Sequence, residues 1–187
     1  MAVGATCLVT AGVVTTRARV WQERHADRLQ APPRTADASG RPHDATPVDP
    51  GPPARGGALG RLRVPRLGID VVVAEGTDSR TLSLGPGHLE GSALPGQRDN
   101  CIIAGHRDGP FGRLRGAKPG DRVEIFDDAG VTSYRVDSVD VVDKRDTRVL
   151  APSTTPLLTL VTCYPFHYVG HAPQRFIVRA TLVDDRS

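Results

Sequence analysis

A thiol that ends one apolar run and a guanidinium that begins the next are the groups in this sequence best suited to covalent chemistry. Cys163 closes the run LLTLVTC and Arg175 opens RFIVRATLV. With the period of two of an extended chain, Leu158, Leu160 and Thr162 share one face, while Thr159, Val161 and Cys163 share the other. In the second run Phe176, Val178, Ala180 and Leu182 form an apolar face, leaving Arg175, Ile177, Arg179 and Thr181 opposite. If the apolar faces are core, Cys163 and Arg175 both project outward, and antiparallel neighbours joined by the loop 164–174 bring them together. A permanent cation beside a thiol favours the reactive thiolate. Its planar donors also stabilise the oxyanion formed when sulfur attacks an acyl carbon. The proton carrier such chemistry needs is best supplied by His106, which ends the apolar run CIIAGH and precedes Arg107 and Asp108. Strand ends open onto loops, where sites are built.

Each of these residues also has a commoner structural use. A cysteine at a strand end packs as a small apolar residue, an arginine on a strand is usually solvated, and a histidine in a turn is often satisfied by backbone. Cys101 alternates with Ile103 inside a buried-looking run and is read as core. Cys163, His167 and His171 are spaced by four, but Pro165, Gly170 and Pro173 make that stretch a loop with no fourth ligand, so no metal is expected. His25, His43 and His88 are expected to face solvent, the last in a Gly-Pro-Gly-His turn. With three cysteines, at least one thiol is free, and no CxxC pair suggests a zinc knuckle or a redox motif.

The elements that must position these groups are short alternating runs cut by Gly and Pro. Leu62/Val64, Ile69–Ala74, Cys101–Gly105, Val123/Ile125, Tyr134/Val136, Val139/Val141, Leu157–Thr162 and Phe176–Val183 read as strands. The phase slips between Val136 and Val139, which predicts a bulge or bend. Short helical turns fit 78–82 and 111–114, and no segment from Ala58 onward sustains a helical period over ten residues. About eight short strands with turns at 118–121 and 128–130 describe an all-β sandwich or closed barrel over 58–187. Upstream, residues 31–57 hold seven Pro and four Gly with no aromatic residue, a disordered, extended linker in composition. Residues 1–30 open with sixteen residues free of side-chain charge, then Arg17, Arg19, Trp21 and Arg24. This reads as an uncleaved membrane anchor helix, with a signal peptide as the rival reading. Its basic flank follows the apolar run, opposite to what the positive-inside rule asks of an exported domain.

Composition narrows the function classes. In 187 residues, 39% hydrophobic and 24% charged, one domain and an appendage fit; a disordered chain or a multi-span membrane protein does not. Residues 1–57 carry 7 Arg against 5 acids, leaving 17 basic against 16 acidic residues in the remainder of the 24 and 21. A nearly neutral folded part argues against nucleic acid as partner.

With the strands in place, the chain resembles the sortases, membrane-anchored cysteine transpeptidases. The resemblance is carried by TLVTC at 159–163, GHR at 105–107 and an Arg twelve residues after the Cys in APQRFIVRA. It extends over nearly all of 58–184 through VPRLGID at 64–70, GPGHLEGSALPG at 85–96 and NCIIAGHRDGPFGRL at 100–114. The run from Leu158 to Ala180 is most similar to class D, with class E next and class C less so. The resemblance implies a closed eight-stranded β-barrel with its groove on the outer surface. It implies cleavage of a Leu-Pro-x-Thr-Gly-like sorting signal after Thr through a Cys thioester, and transfer of the acyl group to an amine, either a peptidoglycan precursor or a protein. Carried over, Cys163 is the nucleophile, His106 the general acid then base, Arg175 the oxyanion and positioning residue, and Thr162 a substrate contact. No cofactor is expected. The localisation implied is the cell membrane, with the catalytic domain outside. From a different class, a catalytically silent envelope barrel that binds peptides or scaffolds an assembly carries the same pattern, as does a hydrolase using water as acceptor.

Overall fold

A computed structural model describes residues 3–29, 51–168 and 170–183. Helix α1 (Val3–Arg28) precedes eight strands: β1 (Ala58–Val64), β2 (Ile69–Glu75), β3 (Gly87–His88), β4 (Asn100–Gly105), β5 (Arg122–Asp127), β6 (Gly130–Asp143), β7 (Leu157–Tyr164) and β8 (Gln174–Leu182). They close into a barrel in the order β1-β2-β3-β4-β7-β8-β6-β5, with β5 paired back onto β1. Closure removes the free sheet edges that would otherwise expose unpaired backbone groups.

Alternation builds the wall. In β1, Leu62 and Val64 point inward, while Arg61 faces out and makes a bidentate pair with Asp70 of β2 at 2.6 and 2.9 Å. Ile103 of β4, Ile125 of β5, Tyr134 of β6, Leu160 of β7 and Val178 of β8 meet in one core. The count of eight strands is as expected from the alternation, but its composition differs. Tyr134/Val136 and Val139/Val141 belong to a single strand, β6, whose register shifts against β8 between Val136 and Ser138, so the phase slip is an irregularity within one strand. The eighth strand is β3, two residues long and too short to show any alternation, paired parallel to β2 and antiparallel to β4.

That short strand corrects the expectation for His88. Far from facing solvent, it is 1% exposed. Its Nδ1 lies 2.8 Å from Glu75 Oε2, and its Nε2 lies 2.9 Å from both the Ala93 carbonyl and Ser92 Oγ. A carbonyl only accepts, so Nε2 donates; the Ser92 hydroxyl in turn donates to the Leu89 carbonyl at 2.8 Å. The Gly-Pro-Gly-His spelling marks a turn, but the turn feeds a strand that plugs the barrel wall.

The expected helical turns are present: α2 (Ser79–Leu82), capped by Asp78, whose carboxylate accepts from Arg80 N and Thr81 N, and a 3₁₀ segment over Pro110–Gly116. The stretch read as linker becomes part of the barrel by its end, since Gly56 N donates to Glu75 O at 2.7 Å and Glu75 N to Gly57 O at 2.9 Å. Residues 31–50, with His43, lie outside the described residues. Helix α1 runs past the apolar run through Arg17, Arg19 and Arg24. It docks on β2, where Gln22 Oε1 accepts from Val72 N at 2.7 Å and Nε2 donates to Val72 O at 2.9 Å and Leu84 O at 3.0 Å. Gln22 thus supplies the bonds a neighbouring strand would make where β3 is too short to reach. Among the described residues no helix is long and apolar enough to cross a membrane.

Candidate active site

Three adjacent strands deliver the site. β4 and β7 run parallel, with Gly105 opposite Thr162, so the residues that follow, His106 just beyond the end of β4 and Cys163 still within β7, come side by side. β7 and β8 run antiparallel, and Cys163 lies directly opposite Arg175. Directly opposed residues of an antiparallel pair have Cα atoms about 4.5–5.5 Å apart, so the thiol and the guanidinium spring from neighbouring points on one face. The three side chains line a single cleft of about 330 Å³ on the outside of the barrel, together with Arg107, Asp108, Lys144 and the loop residues Gly170, His171 and Ala172. A larger hollow of about 740 Å³ lies between α1 and the barrel, beside Trp21, Arg24, Asp78 and Arg80. Among the described residues that line it there is no cysteine, and the convergence of Cys163, His106 and Arg175 makes the smaller cleft the candidate site.

The strand ends are tightly held. Gly105 carries no side chain because a Cβ there would sit 2.7 Å from the ring of Phe111, which is fully buried beneath it. The Phe111 ring therefore packs directly under the backbone that turns into His106. Thr162 is 2% exposed, and its hydroxyl donates to the Gly105 carbonyl at 2.8 Å, stitching β7 to β4 one residue before Cys163 and His106. Alternation puts Thr162 on the core face of β7, whereas the resemblance implies a substrate contact. The hydroxyl is bonded inside the wall, and Thr162 is not among the described residues that line the cleft, so a substrate contact there stays an expectation of the resemblance. Tyr164, Phe166 and Phe176 stack under the start of the β7–β8 loop, with ring centroids 5.1–6.1 Å apart.

The electrostatics suit an anionic intermediate. Arg175 is half-buried and donates through Nη1 to the carbonyls of Gln174 at 2.9 Å and Ala172 at 3.2 Å. Among the described residues no carboxylate pairs with it, so its charge is not neutralised. His106 is exposed, and its carbonyl accepts from Gly109 N at 3.2 Å, closing the turn beyond β4. Cys163 is half-buried, whereas Cys101 is 1% exposed in the core. Burial, with Glu75 nearby, pushes the Cys101 thiol up to about 12, so at neutral pH it stays protonated. Among the described residues no group of three His, Cys, Asp or Glu side chains is placed to hold a metal ion. Sequence reasoning did not anticipate Lys144 and Asp108 at the cleft, nor the reach of Arg107. The tripeptide GHR flagged the last by position, but not where its side chain goes.

Comparison with known proteins adds a family pattern to this geometry. A sortase domain family model matches residues 62–183. Sortase D of Bacillus subtilis is 35% identical over 127 residues, 67% of this chain and 64% of that protein. The chain therefore spans slightly less than two-thirds of that relative's length. Sortase A of Listeria monocytogenes is 27% identical over 109 residues. Among solved structures, the Sortase D5 transpeptidase of Clostridium perfringens superposes with a TM-score of 0.62 at 28% identity, covering 67% of this chain and 79% of its own. Sortase C of Clostridium perfringens, solved with the C-terminal cell wall sorting motif, gives 0.63 at 28% identity, covering 70% and 72%.

Proposed function

The chain belongs to the sortase family, and from that premise we propose that it is a class D-like cysteine transpeptidase acting on sorting-signal peptides of surface proteins. The observation that carries the reading is the register that sets Cys163 opposite Arg175, with His106 leaving the parallel neighbour beside them. The thiolate of Cys163 attacks the carbonyl carbon of the Thr–Gly bond in a Leu-Pro-x-Thr-Gly-like peptide. The oxyanion of the tetrahedral intermediate is met by the guanidinium of Arg175. Its collapse breaks the C–N bond, and the leaving amine takes a proton from His106. The resulting thioester holds the acyl group until an incoming amine attacks it. His106 then accepts the proton that amine loses, a new amide forms and the thiolate leaves, which restores the starting pair. Thr162 contributes by fixing the two strand ends relative to each other.

Sortase-family enzymes work at the cell surface, and membrane attachment through the apolar run 1–16 is part of the proposal, as is a peptidoglycan precursor or protein amine as the natural acceptor. The similarity to a sortase C solved with a cell wall sorting motif supports the peptide class. The test is to incubate the full chain with a Leu-Pro-x-Thr-Gly peptide and an excess of a small amine, and to follow the masses. A thioester on Cys163 and a new amide ending at Thr are expected. Peptide left intact would overturn the reading in favour of a silent binding barrel, and release of the free acid alone would replace it with a hydrolase.

A further inference from the structure

Arg107 is the residue after His106, yet its side chain turns away toward the β7–β8 loop. Nη1 donates to the Pro165 carbonyl at 3.1 Å, and Nη2 donates to the carbonyls of Tyr168 at 2.6 Å and Gly170 at 3.0 Å. The guanidinium carbon lies 5.8 Å from the centroid of the Tyr168 ring. One planar fork therefore binds three carbonyls spread along an irregular loop. No carboxylate among the described residues pairs with Arg107 and competes for those donors. The two ends of the loop have other ties. Phe166 packs on Tyr164 and Phe176 at the start, and Lys144 N donates to Pro173 O at 3.0 Å near the end. Between them, among the described residues, no side chain other than Arg107 bonds the stretch 167–171. That stretch supplies Gly170 and His171 to the cleft.

The platform under Arg107 is rigid. Gly109 N donates to the His106 carbonyl at 3.2 Å and Gly112 N to Gly109 O at 3.0 Å. Gly112 passes so close to the Arg107 carbonyl that a side chain there would clash with it. The same turn thus carries the imidazole at 106 and the fork at 107.

We propose that Arg107 is a positioning residue: it clamps the middle of the β7–β8 loop to the end of β4 and so fixes the loop side of the cleft relative to His106 and Cys163. The inference rests on the transpeptidase reading for its kinetic consequence, though not for the clamp itself. A fork of five donors makes this contact, and an ammonium, with one point of charge, cannot span three carbonyls. Misplacing a cleft wall by about 1 Å costs on the order of 10²-fold in rate.

The test compares the wild-type chain with Arg107→Ala and Arg107→Lys. Proteolytic nicking within the β7–β8 loop should accelerate about tenfold or more in the Ala variant, as expected for loss of several charge-assisted bonds, while β4, β7 and β8 keep their hydrogen-exchange protection. For a sorting-signal peptide, kcat/KM should fall on the order of 10²-fold, with Lys recovering only part of it. Alkylation of Cys163 by a small neutral thiol reagent should stay close to the wild-type rate. Millimolar guanidinium, against an equal concentration of potassium chloride, should restore part of the peptide activity to the Ala variant, a rescue that a general loss of structure would not allow. Unchanged loop nicking in both variants would overturn the clamp. So would peptide turnover equal to wild type, or a fall matched by equal losses of strand protection and Cys163 alkylation. Should the wild-type chain leave the peptide uncut, the transpeptidase reading fails, and the proteolysis comparison still decides whether Arg107 holds the loop.

Discussion

Two parts of this barrel hold the same kinds of residue and do opposite things with them. Around β3, Cys101, His88 and Glu75 lie inside the wall, 1–3% exposed, with both ring nitrogens of His88 bonded and the Cys101 thiol pushed up to about 12 by burial. At the ends of β4, β7 and β8, Cys163, His106 and Arg175 line an open cleft, and Arg175 has no carboxylate partner among the described residues. A thiol, an imidazole and a charged group are therefore not enough to make a site. Spare hydrogen-bonding capacity and access to solvent separate reactive groups from structural ones, because a group whose donors and acceptors are all filled has nothing left to offer a substrate.

The contrast breaks most sharply at sulfur. Cys163→Ala should abolish thioester formation and amide transfer, while Cys101→Ala should leave turnover per folded molecule intact and cost only core stability; turnover surviving in the Cys163 variant would dissolve the distinction. Next in size is Arg175→Lys, which keeps the charge and removes the planar fork. Loss of an oxyanion donor costs on the order of 10²–10³-fold in kcat, so the variant should fall into that range with its melting temperature little changed. On the buried side, His88→Leu removes the imidazole that Glu75 meets at 2.8 Å. Leaving a buried polar group without its partner costs about 1–3 kcal/mol, to be read from denaturant unfolding, with peptide turnover of the folded fraction preserved.

A further prediction concerns pH. Cys101 is raised in the fold from 9.0 to about 12, so below pH 9 both folded and unfolded chains hold the proton and nothing is lost. Between pH 9 and 12 the unfolded chain ionises first, and stability falls by up to about 1.4 kcal/mol per pH unit from this thiol. Tyr134, also raised by burial, adds to the alkaline loss. The wild-type curve should therefore drop faster than that of Cys101→Ala over this interval, and parallel curves would refute the assignment.

What was legible in the chain follows from the range over which each signal acts. Strand alternation needs only a few neighbouring residues, so β1, β2, β4, β5, β7 and β8 stood out, as did the inward face of Thr162. β3 was invisible because two residues cannot alternate, and β6 was read as two strands because its register shift breaks the period. His88 was misplaced for the same reason: its Gly-rich surroundings spell a turn, and the partners that bury it, Glu75 and Ser92, come from other stretches of chain.

The sequence alone determined an all-β chain, its sulfur nucleophile candidate and the resemblance to sortases, since all three are written in short contiguous motifs. Only the closed barrel decided that Cys163 stands opposite Arg175 with His106 alongside, that Glu75 and His88 meet at 2.8 Å in the wall, and that Arg107 reaches three carbonyls about sixty residues away in the sequence. Strand register and side-chain reach are set by which backbones hydrogen-bond across the sheet, and that pairing is a property of the whole closed structure rather than of any one segment.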